Sequence, residues 1–141
     1  MKHSKVLISV LLGLALFALA ACGGKYSDAI ELSENQLEAM QTYADDLEKA
    51  DSADSVIAAM NTFAAKMEKL MPQAKALRDK YPELYRPDGK LPDEFADLQK
   101  KTEAVVSRMS AASMKTIQYM MQPGVQQAMM RMNQAMQNTG S

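Results

Sequence analysis

Apolar side chains recur along this chain at steps of three and four, the spacing that gathers them on one face of an α-helix. Ile30, Ser33, Leu37, Met40, Ala44 and Leu47 keep that rhythm, with Ser33 as its weak point and the acids on the opposite face. The spacing predicts a helix over 28–50. Ser27-Asp28 stands where side-chain oxygens can accept from the free amides of a first turn. Asp51-Ser52-Ala53-Asp54-Ser55 then breaks the rhythm, because Asp and Ser side chains compete for nearby backbone groups and favour turns and caps.

A second series, Val56, Met60, Phe63, Met67, Leu70, Ala74, Leu77 and Tyr81, holds its phase across Pro72. Proline removes one amide donor and crowds the preceding turn. The reading is a kinked helix over about 53–80, with two abutting helices as the alternative. Tyr81 precedes Pro82 and is pushed out of helical geometry. Residues 81–92 hold Pro82, Pro87, Asp88-Gly89 and Pro92 and form the main loop. Pro92 suits the first position of a third helix, with Asp93 and Glu94 at the positive end of its dipole. Leu91, Phe95, Leu98, Thr102, Val105, Met109, Ala112 and Thr116 carry its stripe, and Val106, Ser113, Ile117 and Met120 widen it. Gln122-Pro123-Gly124 interrupts. Val125, Ala128, Met129, Met132, Ala135 and Met136 then share one side of a last helix.

No stretch alternates as a strand does. The expected fold is all-α: an up-down-up antiparallel bundle of three long helices plus a short fourth, C-terminal helix folded back over one end or groove. Ala39-Met40-Gln41-Thr42-Tyr43-Ala44 echoes Ala59-Met60-Asn61-Thr62-Phe63-Ala64 at an offset of 20 residues. Duplication and convergence of two Ala-rich helices both fit. The copies fall on opposite arms of a hairpin, so no solenoid follows.

Ahead of the first helix, Met1–Lys5 is a polar start with two lysines, and Val6–Ala21 is almost wholly apolar. A basic start, an apolar middle and small residues before a cut are what the secretion machinery reads. Leu19-Ala20-Ala21-Cys22 closes the pattern and resembles the lipobox of bacterial lipoproteins, a resemblance confined to residues 1–22. It implies a diacylglycerol on the Cys22 thiol, cleavage before Cys22 and acylation of the freed amine. More than one acyl chain meets the requirement for stable anchoring. An uncleaved span fits less well: the apolar run is about 16 residues, against the roughly 20 needed to cross a bilayer. Gly23 follows the cysteine where enterobacterial lipoproteins kept at the inner membrane have aspartate. By that analogy the chain sits at the outer membrane and faces the periplasm. The division is a cleaved signal peptide at 1–21, a lipidated tether at 22–27, a bundle at 28–138 and a frayed end at 139–141.

Composition then narrows the chemistry. His3, the one histidine, leaves with the leader, Cys22 is blocked by its lipid, and the chain has no tryptophan. No disulfide helps the fold, and most zinc, haem and nucleophile–base chemistry drops out. The expectation is a protein without catalysis and without a cofactor beyond its covalent lipid. The mature chain carries 14 bases against 17 acids and no phosphate-loop or dinucleotide motif, so a nucleic-acid partner is not expected. Its acids are unevenly spread: residues 28–54 hold nine, with Lys49 the single base, and none follows Glu103. The two ends either pack together or form a partner surface.

Four candidate sites follow. Met120, Met121, Met129, Met130, Met132 and Met136 crowd the acid-free tail, and unbranched thioethers repack readily around apolar partners. They can line a partner groove or simply fill a core. Met129, Met132 and Met136 share a helical face, so three soft sulfurs could instead hold Cu(I). That is the competing, metal-handling reading. Tyr81, Tyr85 and Arg86 flank a proline-stiffened turn and suit an interface loop. Equally, Leu84 and one tyrosine could plug the end of the bundle. Asp45, Asp46, Asp51 and Asp54 cluster at the first corner without the alternating ligands and glycine of a calcium loop, which leaves capping and solvation.

Together these readings describe a lipid-anchored adaptor or scaffold that works by binding an envelope protein. In size, anchor and helix content it resembles helical lipoprotein pilotins, which hold a peptide from a secretion-channel subunit. No motif carries that likeness to particular residues.

Overall fold

The computed structural model describes residues 24–87 and 90–137. Residues 1–23, 88–89 and 138–141, among them the expected signal peptide, Cys22 and the expected frayed end, lie outside the described residues. Those described are all-α: helices α1 (Ser27–Lys49), α2 (Ala53–Lys80), α3 (Ala96–Thr116) and α4 (Pro123–Gln137), with short 3-10 turns at Pro82–Tyr85, Asp93–Phe95 and Ile117–Tyr119. None of these helices is long and apolar enough to cross a membrane.

α1 and α2 form a central hairpin. Asp28 pairs with Lys80 at its open end, and Tyr43 stacks on Phe63 midway with ring centroids 4.8 Å apart. Ser52 and Ser55 close the corner. The Ser55 amide donates to Ser52 Oγ at 3.3 Å, and the Ser52 amide donates to Ser55 Oγ at 3.1 Å. This reciprocal capping satisfies amides that a helix start leaves without partners. α1 itself begins one residue earlier than the pattern indicates, at Ser27, and Tyr26 at its cap position makes no side-chain capping bond. Asp28 accepts from the Ala29 amide at 3.0 Å but is drawn mainly towards α2.

α2 runs unbroken through Pro72, which lies on its exposed side. The donor missing there would have met the Glu68 carbonyl, where water is at hand. A single helix therefore replaces the alternative of two.

α3 lies against α1 and runs the same way, since Phe95 packs beside Ala29 and Arg108 reaches Asp45 and Glu48. α4 lies against α2, where Gly124 meets Ile57 and Arg131 reaches Asn61 and Glu68. A Cβ at position 124 would stand 2.8 Å from Ile57 Cδ1, so a residue without a side chain lets α4 approach α2 this closely. The third helix is shorter than its pattern indicates. Pro92 precedes a 3-10 turn instead of opening the α-helix, and the end near Ile117 tightens into another. Leading into α3, the Phe95 amide donates to the Pro92 carbonyl at 2.9 Å.

Two buried clusters hold the assembly. The larger joins Leu47, Val56, Met60, Phe63, Ala112, Val125 and Ala128. Full burial of each large side chain contributes about 1.5–3 kcal/mol. The smaller joins Ala29, Leu32, Leu77, Tyr81 and Phe95 at the near pole, where α1 starts. α1 buries residues on two flanks because it packs on both α2 and α3. Its buried set, including Ala29, Leu32, Ala39 and Tyr43, is thus wider than the single stripe through Ile30 and Met40.

Candidate binding surfaces

The near pole is built from residues 24–26, ahead of α1, and the segments 81–87 and 90–95. Tyr81 is buried, and its hydroxyl lies 2.8 Å from the Lys25 carbonyl and 3.0 Å from Asp28 Oδ1, sharing one proton between them. Tyr26 meets Tyr81 edge-on at 5.2 Å and Phe95 at 6.0 Å between ring centroids. Lys25 Nζ donates to Glu83 Oε1 at 2.9 Å, and the Tyr26 hydroxyl donates to the same oxygen at 3.1 Å. These contacts shift the charges as expected. The Lys80 ammonium and the Tyr81 hydroxyl hold the Asp28 carboxyl below its usual range, and Lys25 does the same to Glu83. In return Asp28 raises Lys80.

The candidate loop residues therefore separate. Tyr81 and the half-buried Leu84 close the end of the bundle. Tyr85 is 45% exposed with the Arg78 guanidinium 5.5 Å from its ring centre, and Arg86 is exposed beside it.

Between α1 and α3, starting at this pole, runs an apolar groove of about 390 Å³. That falls within the range of ligand pockets, roughly 300–1,000 Å³. Leu37 and Met40 form one wall, Phe95, Leu98 and Thr102 the other, and Leu84, Tyr85 and Leu91 the mouth, with Gln36, Gln99 and Glu103 among its polar lining. The groove traces to two small residues on apolar stripes. Ser33 and Thr102 both line it, and each donates its hydroxyl to the carbonyl four residues back at 2.8 Å. Their polar groups are thereby satisfied without a partner helix, and neither side chain fills the seam. The sequence places these residues on the packing faces, and their smallness was the signal for a gap.

The methionines face different ways. Met120, Met129 and Met132 are half-buried against the main core. Met121 is 83% and Met130 58% exposed, and Met136 is exposed too, though less so. The six do not line one groove. At the far pole, where the Tyr119 hydroxyl donates to the Asp51 carbonyl at 2.9 Å, Met114, Ile117 and Met121 are each exposed to water. Val125 and Thr116 close by are fully buried.

Charge asymmetry is resolved largely inside the chain. Arg108 Nη2 lies 2.6 Å from Asp45 Oδ1 and 2.8 Å from Glu48 Oε2, which holds the guanidinium well above its ordinary pKa. Arg131 reaches Glu68. Two cations of the acid-free tail thus pair with acids of the first two helices. Among the described residues, no three His, Cys, Asp or Glu gather to hold a metal ion. Compared with family models, curated proteins and solved structures, the chain matches none.

Proposed function

We propose that this chain is a lipid-anchored, non-catalytic adaptor at the outer membrane, holding an envelope protein through the apolar corner where α3 turns into α4. The observation that supports it is the exposure of Met114, Ile117 and Met121 directly beside a closed core. A contiguous apolar patch on a protein surface marks an interaction site, and these three side chains lie within eight residues of one another at the α3–α4 corner. Methionine suits the task, because its flexible thioether adapts to an apolar helix laid across it. The Cu(I) reading draws less support. Met129 and Met132 pack against the hydrophobic core, where they serve as filling.

A photo-crosslinking amino acid in place of Met121, in intact cells, tests the proposal. The expected result is one envelope protein captured reproducibly, and not captured from the exposed polar position Gln134. Equal yields from the two positions count against it.

A further inference from the structure

Residues 24–26 are held fast at the near pole. Lys25 is held by its carbonyl to Tyr81 and by its ammonium to Glu83, and the Tyr26 ring is packed by Tyr81 and Phe95. Gly24 lies against Glu94, where a Cβ would stand 3.1 Å from the Glu94 carboxylate. Two residue steps separate Gly24 from Cys22, a reach of about 7 Å at full extension. Anything joined to Cys22 is therefore kept close to this pole.

We propose that the near pole is a bilayer-docking surface, with Tyr85 and Leu91 seated among the headgroups of the membrane that holds the Cys22 lipid. The proposal rests on the lipid anchoring proposed above. Tyr85 and Leu91 are 45% and 39% exposed at the mouth of the α1–α3 groove. A tyrosine ring with its polar tip suits the membrane–water boundary. Arg86 and Lys90, also exposed and adjoining the mouth, have stems long enough to lie along apolar surface with their charges in the headgroup layer. Lys25 and Lys80 are already paired with Glu83 and Asp28, and Asp93 and Glu94 offset the remaining bases. The contact is therefore apolar and does not require anionic lipid. The far pole, with Met121, stands at the other end of α3, whose 21 residues span about 31 Å.

The test uses the full chain, processed in cells, purified with its lipid and reconstituted into phosphatidylcholine vesicles. Cys22 is the sole cysteine, and lipidation blocks its thiol, so Leu91→Cys, Tyr85→Cys and Met121→Cys each give a single labelling position. Each variant carries an environment-sensitive fluorophore, and quenching by lipids bearing a headgroup-depth nitroxide is measured. Labels at 91 and 85 are expected to be quenched several-fold more strongly than the label at 121, with blue-shifted emission. Equal quenching at all three, in protein whose mass shows acyl groups on Cys22, overturns docking and leaves anchoring intact. A mass without acyl groups overturns anchoring, and docking falls with it.

Discussion

The hydroxyl of Tyr81 lies 3.0 Å from Asp28 Oδ1, so the residue that ends α2 holds the first turn of α1. The same hydroxyl reaches the Lys25 carbonyl, which brings the segment ahead of α1 into the joint. Tyr81→Phe keeps the ring packing and deletes this link. A typical hydrogen bond contributes about 1 kcal/mol net. The expected outcome is a loss of that size, read as a fall of a few degrees in melting temperature.

Acid should loosen the same joint. Asp28 is held below its usual pKa by Lys80 and Tyr81. A carboxyl with a lowered folded-state value stabilises the fold above its unfolded value, about 4, and loses that stabilisation as pH falls through the folded value. Lys80 is raised, so its contribution is complete below its unfolded value, about 10.4, and fades as pH rises through the folded one. Thermal melts of wild type and Asp28→Asn should differ most between these limits and converge in strong acid. A difference that does not shrink as pH falls refutes the assignment.

Stability and capture should separate between core and corner. Leu47 is 1% exposed, and Leu47→Ala should cost about 2–5 kcal/mol through the cavity it leaves. Met121→Ala should stay within about 0.5 kcal/mol of wild type and, with the photo-crosslinking residue moved to the exposed position of Ile117, still reduce crosslinking to a partner several-fold. Denaturant unfolding alongside crosslinking yield checks both.

Filling the α1–α3 seam should strengthen the fold. Thr102→Leu places a larger apolar group in the groove and removes a hydroxyl that bonds only its own helix. Cavity-filling changes of this kind commonly add about 0.5–2 kcal/mol, which denaturant unfolding measures. If the groove faces the bilayer, the same change should leave quenching at Tyr85→Cys in place.

The helices were largely legible because their apolar rhythm and turn chemistry are local. Asp51–Ser55 marked the hairpin corner, and the Tyr81-Pro82 step marked the end of α2. Harder to read was which helix meets which. Periodicity gives a face but not its neighbour, and α3 packs on α1 instead of on α2, which precedes it in sequence. The width of α1's buried face follows from those two neighbours. The methionines illustrate the same limit: adjacent residues such as Met129 and Met130 point apart by about 100°, and only the packing of α4 on α2 decides which of the two is left in water. Ser33 stands out as the weak point of its stripe while Thr102 reads as part of one, and the groove needs both helices side by side.

The unbroken run of α2 past Pro72 sets a physical scale. Its 28 residues make a rod of about 42 Å. If one end is moored at the lipid, the methionine corner is displayed about 3 nm above the membrane, since α3, which leads to it from the near pole, spans about 31 Å. A client must then present its own docking segment at that height. Shortening α1, α2 and α3 together by whole turns would bring the rendezvous point closer.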